Sequence, residues 1–99
     1  MFELEFLPAA LKEWQGLDPA VRAQLKRKLE KLLVAPHVPS MRLSGHRNCY
    51  RIKARRAGYR AVYYVNDLRV IVTVIRVARR DKDEAYDKLL ERLAQLDLP

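Results

Sequence analysis

Arg51, Lys53 and Arg55 recur at every second position of a stretch rich in β-formers, with Tyr50, Ile52 and Ala54 alternating between them. That period puts the three cations on one face of a strand and the apolar residues on the other. Three like charges in a row on one face repel one another, so the pattern needs a reason. One reason is a solvated edge strand guarded by charge against aggregation. The other is a concave surface for a polyanion backbone, which Arg60, across a turn at Gly58, and Arg79 and Arg80 extend. The segment from Arg79 to Tyr86 runs from a strand end into a helix start, so Tyr86 lies within about two helical turns of Arg80. By periodicity alone Tyr86 reads as the first member of that helix's core stripe.

These residue types suit RNA cleavage without a metal. The 2′-hydroxyl of the substrate attacks the adjacent phosphate. The protein aligns that attack, accepts a proton, stabilises the negatively charged phosphorane and protonates the leaving 5′-oxygen. Arginine and lysine supply the charge stabilisation. A tyrosine ringed by cations is helped toward phenolate. Such a set has no strong general base near pH 7, so free RNA is expected to be cut poorly. His37 and His46 offer acid–base chemistry, but they share one loop and have no partner at a fixed spacing. Cys49 is the single cysteine and reads as a small core residue in a β-like stretch. One cysteine and two dispersed histidines give no metal-ligand spacing. No phosphate-cradling glycine loop, nucleophile elbow or helix-turn-helix signature is present, and no cofactor is expected.

The elements that must position these residues are legible. Phe2, Leu4 and Phe6 alternate with Glu3 and Glu5, which predicts a strand over Phe2–Leu7. Pro8 opens a helix to about Gln15, with Gly16 as a stop signal. Asp18-Pro19 is an N-cap and first-turn proline. It starts a second helix whose apolar stripe is Val21, Leu25, Leu29, Leu32 and Leu33, ended by Pro36. Residues 37–47 read as a loop. Strands follow around Tyr50–Ala54 and Tyr59–Val65, a two-residue hairpin signal lies at Asn66-Asp67, and Leu68–Val77 is apolar on both faces, as in a central strand. Asp81 and Glu84 form a possible capping box for a last helix with Tyr86, Leu89, Leu90, Leu93 and Leu96 inward. The order β-α-α-β-β-β-α predicts an α+β domain, a largely antiparallel four-stranded sheet with helices packed on one face.

Ninety-nine residues make one domain, residues 1–99, and 49% hydrophobic residues supply a core. The single cysteine suits a reducing compartment. The acidic N-terminus differs from a signal peptide, and the longest apolar run, Val70 to Ile75, is far too short to span a bilayer. A cytoplasmic location with no membrane partner is the expectation. The net charge of +8 is unevenly placed. Residues 37–80 hold eleven Lys/Arg against one acid, Asp67, whereas residues 1–36 hold six against five and residues 81–99 three against six. Segregation of this kind points to a polyanion partner.

Taken together, Asn48-Cys49-Tyr50-Arg51-Ile52-Lys53, Gly58-Tyr59-Arg60-Ala61-Val62-Tyr63, Val77-Ala78-Arg79-Arg80 and Glu84-Ala85-Tyr86 resemble the RelE branch of the RelE/ParE bacterial toxins, as do Leu11-Lys12-Glu13-Trp14 and the basic second helix. The resemblance spans nearly the whole chain. It implies the toxin of a type II toxin–antitoxin system, a ribosome-dependent mRNA endonuclease that enters the vacant A site of the 70S ribosome and leaves a 2′,3′-cyclic phosphate. It implies Tyr86 as proton acceptor and Arg80 orienting the phosphate or assisting the leaving group. Arg60 and Lys53 would stabilise the transition state, and Arg51 would add positive charge. Arg47, Arg55, Arg56 and Arg79 would bind RNA. Arg51 stands where the family pattern favours lysine, and arginine holds its proton too firmly to act readily as an acid. Any lysine role in proton transfer then passes to Lys53. Ala78 stands where glycine is frequent. The resemblance also implies a RelB-like antitoxin, with operator DNA reached only through the toxin–antitoxin complex.

Two other functions fit parts of the pattern. A ParE-like gyrase poison shares the fold, but would not be expected to keep Lys53, Arg60, Arg80 and Tyr86 jointly. A non-catalytic ribosome- or RNA-binding module should carry stacking aromatics on its basic face, whereas Tyr50 alternates away from Arg51 and Lys53.

Overall fold

The computed structural model describes residues 1–79 and 89–96. The order of elements is β1 (Glu3–Phe6), α1 (Pro8–Gln15), α2 (Pro19–Leu32), a short 3₁₀ turn (Pro39–Met41), β2 (Cys49–Ala54), β3 (Tyr59–Asn66), β4 (Ile71–Arg79) and α3 (Leu89–Leu93). The expected β-α-α-β-β-β-α order holds. The four strands form one sheet in the order β1-β4-β3-β2. β1 runs parallel to β4, while β2–β3 and β3–β4 are antiparallel.

Local chemistry explains the helices. Pro8 opens α1 at a position where its missing N–H costs no hydrogen bond. Gly16 ends α1 with φ −80°, so its left-handed freedom is unused there. Asp18 caps α2, its Oδ1 accepting from the Ala20 N–H at 3.3 Å. The stripe Val21, Leu25, Leu29 and Leu32 is buried, and the helix ends there, with Leu33 as a partly buried cap. Full burial of side chains such as Leu25 and Leu29 contributes roughly 1.5–3 kcal/mol each.

The β2–β3 connection is a turn over residues 55–58, in which Gly58 takes φ +72° and donates to the Ala54 carbonyl at 3.0 Å. A side chain is disfavoured at that φ, and glycine removes the cost. The β3–β4 connection differs from the two-residue hairpin expected at Asn66-Asp67. Asn66 is the last residue of β3, paired with Ile71, and the turn covers residues 67–70. The Asn66 side chain accepts from the Arg69 N–H at 3.1 Å, and Val70 reaches φ +58°. β4 accordingly begins at Ile71, and Leu68 is exposed.

The helices do not all lie on one face, as the sequence had suggested. Leu4 and Phe6 share a pocket with Trp14, Pro19, Ala23 and Lys26 of α1 and α2. Glu5, Thr73 and Tyr64 occupy register-matched positions and share a pocket with Gln95 and Leu96, just beyond α3. Successive strand residues point to opposite faces, so the chain after α3 meets the face turned away from α1 and α2. The cause is the two-sided apolar character of the inner strands: Val62, Tyr63, Val72 and Val74 are all buried, and both faces need cover. Within α3, Leu89 is buried and Leu93 partly so. Leu90 is exposed, against expectation, and Arg92 takes a buried place.

Candidate RNA-cleaving site

β2 carries the predicted alternation: Tyr50, Ile52 and Ala54 are buried, while Arg51 and Lys53 are half-exposed. Lys53 pairs with Arg60 across β2 and β3, and Arg60 pairs in turn with Ala78 on β4. Register partners share a face, so Lys53 and Arg60 stand side by side on one surface. Arg51, two residues from Lys53, points the same way.

Arg55 lies beyond the end of β2, in the turn, and so is not a third strand cation. It still lines one shallow groove with Arg51 and Lys53. Lys28 of α2 lines that groove too, and its Nζ donates to the Lys53 carbonyl. Lys28 was missed by the sequence reading. Its signal was position: it directly precedes Leu29 and lies three residues after Leu25, at the margin of the α2 apolar stripe.

The remaining arginines are dispersed. Arg56 is exposed in the 55–58 turn. Arg47 is exposed in the turn before β2, at the opposite end of that strand, roughly 20 Å from Lys53 at about 3.3 Å per residue. Arg79 pairs with Tyr59, one position out of step with the Lys53–Arg60–Ala78 row, and its guanidinium lies 6.0 Å from the Tyr59 ring centroid. Alternation therefore turns it from the Lys53–Arg60 surface, a correction to the expectation that it joins them. Arg80, Tyr86 and the Asp81/Glu84 capping box lie outside the described residues.

The other titratable candidates have structural places. His37 Nδ1 lies 2.7 Å from the Tyr50 hydroxyl, and Nε2 lies 2.7 Å from Asp67 Oδ1. One neutral tautomer satisfies both, accepting from tyrosine and donating to aspartate. Tyr50 stacks on Tyr63 with centroids 5.4 Å apart, and the Tyr63 hydroxyl donates to the Pro36 carbonyl at 2.9 Å. Burial pushes the Tyr50 and Tyr63 hydroxyls above their ordinary pKa. Tyr50 thus belongs to the core side and offers no stacking platform on the basic face. Cys49 is buried, and burial pushes its thiol up to about 11, which leaves it a protonated core residue. Among the described residues no cluster of three His, Cys, Asp or Glu is arranged to hold a metal ion.

The arrangement can grip a phosphodiester backbone and stabilise charge developing on it. An edge strand guarded by cations would account for Arg51 and Lys53, since β2 is an outer strand. It does not account for Arg60, which sits on the inner strand β3 and faces the same way.

The chain is similar to known proteins along most of its length. A family described as the ParE toxin of the type II toxin–antitoxin system parDE matches residues 4–84. The mRNA interferase toxin RelE of Escherichia coli is 44% identical over 90 residues, covering 91% of this chain and 95% of that protein. A putative RelE-like toxin protein of the same organism is 41% identical over 92 residues, covering 93% and 97%. Among solved structures, a mutant of E. coli toxin RelE in the free state superposes with a TM-score of 0.87 at 42% identity, covering 93% of this chain and 97% of that one. The toxin in the intact E. coli RelBE toxin–antitoxin complex gives 0.78 at 46% identity, covering 80% and 96%.

Proposed function

The chain belongs to the ParE toxin family of type II toxin–antitoxin systems, and from that premise we propose that it cuts mRNA in the ribosomal A site through attack by the substrate's own 2′-hydroxyl. It is a RelE-type toxin, an mRNA interferase and hence an endoribonuclease. The observation that carries the mechanistic reading is the Lys53–Arg60 pair, two cations held side by side on one face, one of them on an inner strand.

In this reading Lys28, Arg51 and Arg55 hold the RNA backbone along the β2 groove. Lys53 and Arg60 stabilise the phosphorane. Tyr86 accepts the 2′-hydroxyl proton, and Arg80 orients the phosphate or assists the departing 5′-oxygen. Arg47, Arg56 and Arg79 add positive charge farther from the reacting atoms. The substrate supplies the nucleophile, so every step is carried by side chains. A toxin without a strong base relies on a prealigned substrate, which a codon held in the ribosome provides and free RNA does not. A RelB-like antitoxin masks the cationic face, and operator DNA is reached only through that complex.

The test maps 5′ ends of mRNA incubated with the protein, with and without ribosomes. Cuts at A-site codons that need ribosomes are the expected result. Equal cutting of free RNA would remove the ribosome from the mechanism. No new ends under either condition, with DNA replication blocked in cells, would move the chain to the gyrase-directed reading.

A further inference from the structure

The β2 groove has two unlike walls. Lys28, Arg51, Lys53 and Arg55 line one, and Ser40 and Met41 of the 3₁₀ turn line the other. The cations account for a grip on phosphate. A thioether adds nothing to that grip. Packing on the core explains the covered part of Met41. It does not explain why the rest of an apolar side chain faces a groove rimmed by cations.

The turn that carries Ser40 and Met41 is held at both ends. Pro39 opens it. The Met41 N–H donates to the Val38 carbonyl at 2.9 Å, and the Arg42 N–H to the Pro39 carbonyl at 3.2 Å. Just beyond, Arg42 bridges to Tyr50 of β2, the Leu43 N–H donates to the Cys49 carbonyl at 2.9 Å, and Leu43 is buried. Across the groove, Lys28 Nζ donates to the Lys53 carbonyl. Both walls are thus tied to β2 and keep a set spacing, as discrimination between similar ligands requires.

A nucleotide has the same two halves, an anionic phosphate and a flat, polarisable base with hydrogen-bonding edges. The groove encloses about 220 Å³. That is several times the roughly 30 Å³ of a water and gives room for one base. The Met41 sulfur suits an aromatic ring, and the Ser40 hydroxyl both donates and accepts. Lys53 belongs to the groove and to the Lys53–Arg60 pair alike, so an RNA chain with a phosphate at the pair passes directly into the groove. We propose that Ser40 and Met41 form a subsite for the mRNA base beside the phosphate being cut, and so help determine which codons are cut. This rests on the reading of Lys53 and Arg60 as the centre that stabilises the phosphorane. Phosphate contacts carry no sequence information and base contacts do. Loss at the cationic wall should therefore slow every codon alike, and loss at Ser40 or Met41 should slow codons unequally.

The test is single-turnover cleavage at subsaturating toxin on ribosomes programmed with A-site codons that vary one position at a time through the four bases. Met41→Ala and Ser40→Ala are set beside Lys28→Gln. Ser40 is exposed, so Ser40→Ala carries the test if Met41→Ala does not fold. In each alanine variant the ratios among the four bases at one codon position should change by about 2- to 10-fold, with wild-type ratios kept at the other two. Lys28→Gln should lower all rates by one common factor. Unaltered ratios in the alanine variants that fold would overturn the proposal, whether their rates drop uniformly or stay at the wild-type level. So would ratios that Lys28→Gln changes as much as Met41→Ala does. Wild-type rates in Lys53→Gln and Arg60→Gln would remove the centre that the subsite adjoins, and the proposal with it. That failure is recognisable because it appears with Ser40 and Met41 intact.

Discussion

Lys53 and Arg60 occupy directly opposed positions on β2 and β3. Like charges so placed destabilise a sheet, and a sequence shaped by stability alone would avoid them. Lys53→Gln and Arg60→Gln should therefore change stability by no more than about 1 kcal/mol. Each should lower the single-turnover cleavage rate by roughly 10- to 1000-fold. Urea unfolding beside ribosome-programmed cleavage decides the matter. Loss of stability in step with loss of activity would make the pair structural.

The strand period made this pair half legible in advance. Alternation around Tyr50, Ile52 and Ala54 fixed the face of Arg51 and Lys53, because burial of the apolar set leaves only one face for the cations. That Arg60 lands opposite Lys53 depends on the 55–58 turn and the register it imposes, and that Arg79 falls one step out of line depends on the extra residue in β4 between Val74 and Arg76, which shifts its register with β3. Neither is written in local composition. The Glu13–Arg92 bond joins residues at opposite ends of the chain, and a lone acid on α1 and a lone base on α3 carry no local sign of each other. Leu90 misled because a leucine beside the 3.6-residue stripe looks like part of it, while Arg92 is buried for the sake of a carboxylate and a free carbonyl.

Binding of toxin freed from its antitoxin to ribosomes or RNA should weaken steeply with salt. The motive is the excess of eleven basic residues over one acidic residue in residues 37–80, part of which converges on the β2 groove. Neutralising about five phosphates of single-stranded RNA predicts a log–log slope near −3 to −4. A titration across 50 to 300 mM salt, roughly the range over which such slopes are read, suffices. A slope near zero would exclude a phosphate-contacting face.

Cys49 gives the fold an alkaline limit. Its thiol is raised from 9.0 to about 11 by burial. Below pH 9 it is protonated in folded and unfolded chains alike and shifts nothing. Above that, the unfolded chain releases the proton while the folded chain keeps it, so stability falls as pH rises toward 11, by roughly 2–3 kcal/mol at the end of the window. Tyr63, raised by burial and then by Tyr50, acts in the same direction at higher pH. Urea unfolding at pH 8 and at pH 10.5 measures the loss, and Cys49→Ala should flatten it. An equally steep loss in the alanine variant would assign the limit to other groups.

Tyr86→Phe separates chemistry from binding. It keeps the ring and removes only the hydroxyl. If Tyr86 serves solely as the first residue of a core stripe, the change costs little stability and leaves cleavage intact. If it accepts the 2′-hydroxyl proton, single-turnover cleavage at saturating toxin falls by about 10² to 10⁴. Arg80→Ala should slow the same step by roughly 10² to 10³ through lost charge stabilisation. Ribosome binding should survive both, because Lys28, Arg51, Lys53 and Arg55 still line the groove. The two rates, set beside the two binding curves, assign each residue to the chemical step or to the grip on RNA. Should Tyr86→Phe cut at the wild-type rate, the proton must go elsewhere. Lys53 is then the first candidate, since it stands in the groove beside Arg60. His46 is a distant second, because it lies in the turn before β2, at the end of the strand away from that pair.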